Sequence, residues 1–324
     1  MSTQQLWLGG AALAALLIAL GGFLTRPAAL APPIEPANLG SNPVAHIAER
    51  ESKAQARYGI VDGAEKRIRW HGEPGERTQY AVIYLHGFSA TRQEIAPVPE
   101  RVAQALGANL FETRLHGHGR VREPLVKVSA ESWLEDGAEA LAIGRALGER
   151  LIVIGTSTGA TLALAMADHP GFAAVDSLVF VSPNWGPAAA GSEWSIGPYG
   201  PQLVRLIAGE EYAWAASNEL HDRFWSTSYP TDAIVEMMRL VKLADALTER
   251  SSVPSAMLLY SPKDDVVSVP KLLAGFERLP AERKAVIAVD EPRSLSKHVI
   301  AGDILAPAET EATVEKVVEF LKAS

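Results

Sequence analysis

A serine hydroxyl becomes a nucleophile only when a base takes its proton. One serine of this chain stands in a setting that suits that chemistry. Ser157 lies in Gly155-Thr156-Ser157-Thr158-Gly159, directly after the apolar run Leu151-Ile152-Val153-Ile154 and before the small-residue helical pattern Ala160 to Ala167. The bare G-x-S-x-G string is weak. A strand before it and a helix after it give it meaning, because the sharp turn between them lifts the hydroxyl clear of the sheet. The flanking glycines let neighbouring backbone approach without a Cβ clash.

The partners of such a serine follow it in the chain, acid first and then histidine. Beyond Ser157 the histidines are His169, His221 and His298. His169, in Asp168-His169-Pro170, closes the helix that starts at the serine, where the helix dipole favours a cation, so a structural role is expected. His221 lies in a tryptophan-rich stretch and is expected to serve the surface or a cap. His298 follows the strand-like run Ala285 to Val289 by a loop, where a base could swing over the nucleophile. An acid is offered by Tyr260-Ser261-Pro262-Lys263-Asp264-Asp265-Val266-Val267, at the end of the apolar run Ala256 to Tyr260. One of these two carboxylates would orient the imidazole and stabilise its cation; an Asx turn would use the same residues without chemistry. The strand Ala81 to Leu85 runs into His86-Gly87-Phe88-Ser89. There the backbone N–H of Phe88, with that of Thr158, could hold an oxyanion. His86 precedes the serine and is expected to brace this loop.

These segments resemble the α/β-hydrolase superfamily, in its carboxylesterase and monoglyceride-lipase-like branch, over about residues 60 to 323. The resemblance rests on Leu85-His86-Gly87-Phe88, Arg114-Leu115-His116-Gly117-His118-Gly119, the turn at Ser157, Lys263-Asp264-Asp265-Val266-Val267 and Lys297-His298-Val299-Ile300. Laid on the family's G-x-x-D-x-V-V pattern, Asp264 takes the acid position, and Ser261 stands where glycine is usual. The resemblance implies a Ser157–Asp264–His298 triad, no cofactor and a structural role for His118.

The elements that must position these residues alternate. Strand-like runs occupy Arg67–His71, Tyr80–Leu85, Asn109–Arg114, Leu151–Ile154, Ser177–Val181, Ala256–Tyr260 and Ala285–Val289. Helical patterns fill Gln93–Leu106, Ser132–Leu147 and Pro270–Leu279, and Thr310–Lys322 closes the chain. The fold class expected is α/β, a mostly parallel doubly wound sheet. About seventy residues between Pro183 and Pro254 break the alternation without a clear strand, too many for a plain loop. A mainly helical cap over about residues 184–253 is expected, with Trp185, Trp194, Trp214 and Trp225 as candidate walls of a substrate pocket.

Residues Leu6 to Leu24 are uncharged and largely apolar, and as a helix would span about 29 Å, enough to cross a bilayer core. The n-region lacks Lys and Arg, and Pro32-Pro33 follows the Ala29-Leu30-Ala31 that could serve as a cleavage site. An uncleaved transmembrane helix within residues 1–26 is therefore expected ahead of a cleaved signal. Within residues 27–58 the proline-rich stretch Pro27 to Pro43 would act as a spacer, and the polar lead-in Val44 to Tyr58, helical in spacing, is expected to lie on the domain, with the catalytic domain in 59–324, exported from the cytoplasm.

Composition narrows the function. The chain has 324 residues, 48% hydrophobic and 21% charged, a net charge of −8 and no cysteine. That is ordinary for a globular enzyme. It gives no basic surface for nucleic acid and excludes disulfides and thiolate metal sites. His116 and His118 form a lone pair, and no metal site is expected. The activity expected is hydrolysis of neutral or lipid-like carboxylic esters. A thioesterase, amidase or perhydrolase would use the same triad, and a binding module that kept the fold is the alternative outside catalysis.

Overall fold

The computed structural model describes residues 18–31, 35–40 and 42–323. The main domain opens with helix α1 (Pro43–Tyr58), then β1 (Arg67–Arg69), β2 (Thr78–Leu85), α2 (Val98–Leu106), β3 (Asn109–Glu112), α3 (Ala130–Leu147), β4 (Gly148–Thr156), α4 (Thr158–Ala165) and β5 (Val175–Val181). An excursion comes next, with α5 (Gly200–Ala208), β6 (Glu211–Ala213), α6 (Glu219–Phe224), β7 (Ser228–Pro230) and α7 (Asp232–Leu247). The chain then returns through β8 (Val253–Tyr260), α8 (Val269–Arg278), β9 (Ala281–Ala288) and α9 (Pro307–Lys322).

Seven strands form one sheet in the order β1-β3-β2-β4-β5-β8-β9. All neighbours are parallel except the edge strand β1, which runs antiparallel to β3. The doubly wound sheet expected from the alternation is the sheet found. Its central strands are apolar on both faces because helices cover both. The two-residue period of β2 shows this: Ile83 and Leu85 join the core under α3, α4 and α7, while Val82 and Tyr84 join the core under α2 and α9. Strand order reverses at the β2–β4 pair. In open α/β sheets such a reversal leaves a crevice beyond the carboxyl ends of the strands.

Strands Thr78–Leu85, Gly148–Thr156 and Val253–Tyr260 each extend two or three residues beyond the runs read from sequence at their amino ends. Helix α2 starts at Val98 rather than Gln93. Pro97 cannot sit inside a helix, so residues 92–97 form turns and the helix begins just after it. The excursion is not helical throughout. β6 and β7 pair antiparallel, Tyr212 opposite Tyr229, so the expected mainly helical cap carries a small hairpin-like sheet. Three-residue strands offer no alternation to read.

Helix α1, expected from the helical spacing of Val44 to Tyr58, is packed on the domain. Arg114 makes two bonds to Glu51 at 2.8 and 2.7 Å, and Arg50 and His46 both reach the buried Glu139. Glu139 also pairs with the buried Lys66. Residues 1–17, most of the predicted membrane anchor, lie outside the described residues. Among the described residues no helix is long and apolar enough to cross a membrane. Residues 18–25 are helical, and Tyr199 of the cap holds them: its hydroxyl donates to Ile18 O at 2.6 Å and its N–H to Thr25 Oγ1 at 3.1 Å.

Candidate active site

β4 delivers Ser157 to the crevice. The residue has φ 50° and ψ −117°, a positive-φ backbone that non-glycine residues rarely adopt. The turn is held by the Ser157 N–H, which donates to Val181 O at the end of β5 at 2.9 Å. Close packing fixes it from the other side. A Cβ on Gly159 would collide with Leu85 O, and one on Gly155 would stand 2.7 Å from Ala160 N. The serine turn therefore presses directly on the end of β2, where the His86-Gly87-Phe88 loop begins.

His298 arrives from the loop after β9. Its carbonyl accepts from Ser182 Oγ at 2.7 Å. Val181 and Ser182, adjacent residues at the end of β5, thus bind the backbones of Ser157 and His298 respectively. The imidazole Nδ1 lies 2.7 Å from Asp264 Oδ2. Asp264 comes from the turn after β8; its other oxygen accepts the N–H groups of Val266 and Val267 at 2.9 and 3.0 Å, and its side chain is fully buried. Asp265 is exposed and contributes its backbone N–H to Ser296 O. Of the two aspartates, Asp264 meets the histidine. A carboxylate on Nδ1 fixes the proton there and leaves Nε2 as the free base. Burial alone depresses the basicity of His298. The charge and hydrogen bond of Asp264, with Glu94 and Asp265 behind it, outweigh burial and hold it above its ordinary 6.5. No hydrogen bond joins Ser157 Oγ to the imidazole among the described residues.

The loop after β2 is braced as expected. His86 is buried, with Nδ1 2.9 Å from Gly87 O and Nε2 accepting the Leu115 N–H at 3.0 Å. Burial pushes it down to about 4, so it stays neutral. Among the described residues the N–H groups of Phe88 and Thr158 have no protein acceptor, and both are free for a substrate oxygen. His169 caps a short 3₁₀ turn by accepting the Gly171 N–H, and His221 lies between Trp214 and Trp225.

The four tryptophans do not gather into one wall. Trp185 is packed in the core against Phe180 and Gly275, with its N–H on Thr248 Oγ1 at 2.9 Å. Trp194 is 74% exposed on the outside of the cap. Trp214 and Trp225 flank His221, and the next residue, Ser226, donates its N–H to Ser89 O at 2.7 Å, which ties the cap to the loop after β2. A different set of rings packs beside the loop after β2. The Phe88 ring meets Tyr229, Trp133 and His118, all three buried, edge-on at centroid distances of 5.2, 6.0 and 6.0 Å. The sequence carries no spacing signal that would group these four.

Comparison with known proteins agrees with this fold. A thermostable monoacylglycerol lipase from Bacillus sp. (strain H-257) is 24% identical over 262 residues, 80% of this chain and 96% of that protein. Among solved structures, one from a study of LipS and LipT, two metagenome-derived lipolytic enzymes, superposes with a TM-score of 0.64 at 18% identity. It covers 82% of this chain and 100% of its own. A soluble variant of monoglyceride lipase from Saccharomyces cerevisiae, in complex with a substrate analogue, gives 0.58 at 12% identity over 91% of this chain and 96% of its own. Residues 82–301, which carry the serine turn, the Asp264–His298 pair and the cap, match the alpha/beta hydrolase family, and the chain belongs to it.

Proposed function

We propose that the chain is a serine hydrolase of carboxylic esters, acting on neutral, lipid-like substrates. The observation that carries this reading is the Asp264–His298 pair at 2.7 Å, tied through β5 to the strained turn that presents Ser157. In the reaction, His298 Nε2 takes the Ser157 proton as Oγ attacks the ester carbonyl carbon. The N–H groups of Phe88 and Thr158 receive the oxyanion. The imidazolium then protonates the leaving alcohol, and an acyl-serine remains. Water, deprotonated by the same nitrogen, attacks the acyl carbon and releases the acid. Asp264 stabilises the imidazolium in both halves.

A lipid-like substrate is supported by the monoacylglycerol lipase relative and by the cap. Helix α5 exposes Leu206 and Ile207, each 82% accessible, on the helix that begins beside Tyr199, the residue bonded to 18–25. An apolar anchor over Leu6–Leu24 with the domain exported fits the same reading. The test is labelling with a serine-reactive fluorophosphonate, together with hydrolysis of p-nitrophenyl esters of rising chain length. Labelling lost in Ser157→Ala, with a preference for medium or long acyl chains, is expected. An unlabelled wild-type protein would sink the assignment.

A further inference from the structure

Glu94 is a buried carboxyl that the proposed steps leave without a task. It lies in the turns between β2 and α2, 2% exposed. Its Oε2 accepts the Gly87 N–H at 2.6 Å and the Tyr84 hydroxyl at 3.2 Å. The Tyr84 oxygen is in turn 3.3 Å from Thr156 Oγ1, the residue before the nucleophile. A Cβ on Gly87 would stand 2.6 Å from Glu94 Oε1, so the carboxylate covers the glycine of the loop. The same segment supports the histidine loop. A Cβ on Gly302 would lie 2.8 Å from Glu94 O, and the Asp303 N–H donates to Ala96 O at 2.9 Å. Glu94 is thus bonded to the loop after β2, linked through Tyr84 to the end of β4, and seated under the loop that carries His298.

We propose that Glu94 is a positioning residue of the hydrolytic reaction, its carboxylate fixing the Gly87 peptide so that the next N–H, that of Phe88, meets the oxyanion, and its charge favouring the imidazolium of His298. The inference rests on the hydrolase reading above. An N–H aimed in advance costs no reorganisation when charge develops, and a small misalignment forfeits much of its effect. The charges facing each other here are few. His298 faces Asp264, Asp265 and Glu94; Glu94 faces His298 and the Tyr84 phenol. Burial raises the Glu94 carboxyl to about 7, against the opposing pull of the Gly87 N–H, His298 and Tyr84. At pH 8, above that value, it is mostly ionised.

The experiment compares Glu94→Ala and Glu94→Gln with wild type in the full chain, each normalised to the fraction labelled by fluorophosphonate. At pH 8, Glu94→Ala is expected to lower kcat by about tenfold or more with KM changed by less than about threefold, a part of the loss caused by removing a whole oxyanion donor. Glu94→Gln keeps an oxygen for the Gly87 N–H and should recover to within about fivefold of wild type. It removes the charge, so its acidic limb should move to lower pH by about half a unit. A residue that only supports packing would change the labelled fraction but neither the limb nor the split between kcat and KM. Labelled Glu94→Gln with a wild-type limb position would overturn the electrostatic part. Labelled Glu94→Ala with kcat within twofold of wild type would overturn the positioning part; should that variant fail to fold, Glu94→Asp, which draws the carboxylate back from the Gly87 N–H, takes its place, and a kcat within twofold of wild type then overturns that part. A wild-type chain that takes no label would overturn the hydrolase reading, and this inference with it.

Discussion

At the scale of single residues, the division of labour between two adjacent aspartates is the sharpest claim. Asp264 holds His298 Nδ1 and two backbone N–H groups, while Asp265 faces solvent. Asp264→Asn should lower kcat by about three to four orders of magnitude, because the amide favours the wrong imidazole tautomer. Asp265→Asn should change it by less than about tenfold, measured side by side with circular dichroism on both. Ser157→Ala should cost about four orders of magnitude or more. The pH profile is set by the same pair. Only neutral His298 can act as base, and its basicity is held above 6.5 by Asp264 against the effect of burial. Activity should therefore fall on acidification with a midpoint above pH 6.5, and Asp264→Asn should shift whatever activity remains to a lower midpoint. A flat rate from pH 5.5 to 7.5, with acylation limiting, would argue against an imidazole base.

At the scale of elements, much of this was legible in the sequence because strand, turn and helix each leave a local signature. The run Leu151 to Ile154 closed by glycine and serine could hardly be anything but a strand entering a tight turn, and Ser-Pro after Ala256–Tyr260 marked the acid turn. The cap was harder. β6 and β7 are three residues each, and their pairing is set by contacts across the cap rather than by pattern. The tryptophans misled for a related reason: a large aromatic serves a core, a surface or a pocket equally well, and only packing decides. Trp185 filled the space over Gly275, while Tyr229, with no distinguishing neighbour in sequence, came to rest on Phe88. Helix α1 was legible from its spacing, but its partners were not, because its attachment is ionic. Lys66 and Glu139 are almost fully buried, and Arg50, His46 and Asp136 complete the cluster. Burial pushes the Glu139 carboxyl up, but Lys66 and Arg50 outweigh it and hold it below the usual 4.5. Its stabilisation is present above that value and drains away as pH falls below it. Glu139→Ala, which leaves Lys66 with Asp136 as its remaining carboxylate, should destabilise the fold by about 3 kcal/mol, the low end for breaking a buried pair, in thermal or denaturant melts while leaving kcat/KM of the folded fraction unchanged.

At the scale of the whole molecule, the proposed catalytic residues sit at the carboxyl ends of the sheet strands, and the cap is bonded to the loop after β2 through Ser226 on Ser89. Residues 18–25 touch the cap through Tyr199, at the start of α5. Removing residues 1–26 should leave hydrolysis of a short, water-soluble ester within about twofold of the full chain. It should abolish co-sedimentation with phosphatidylcholine vesicles if the apolar stretch is the anchor. Loss of short-ester activity in a truncated chain that remains folded would mean that the segment organises the site.

The backbone of Ser157 carries a thermodynamic consequence. A side chain held at φ 50° and ψ −117° costs on the order of 1–3 kcal/mol, and the surrounding contacts absorb it. Glycine is at ease in that region and gives back only about 0.5–1 kcal/mol through the freedom it adds to the unfolded chain. Ser157→Gly should therefore melt at a higher temperature than Ser157→Ala, although both are inactive. On the proposed chemistry the protein thus gives up attainable stability at a position where the reaction needs a side chain, and selection for heat resistance alone would favour glycine there.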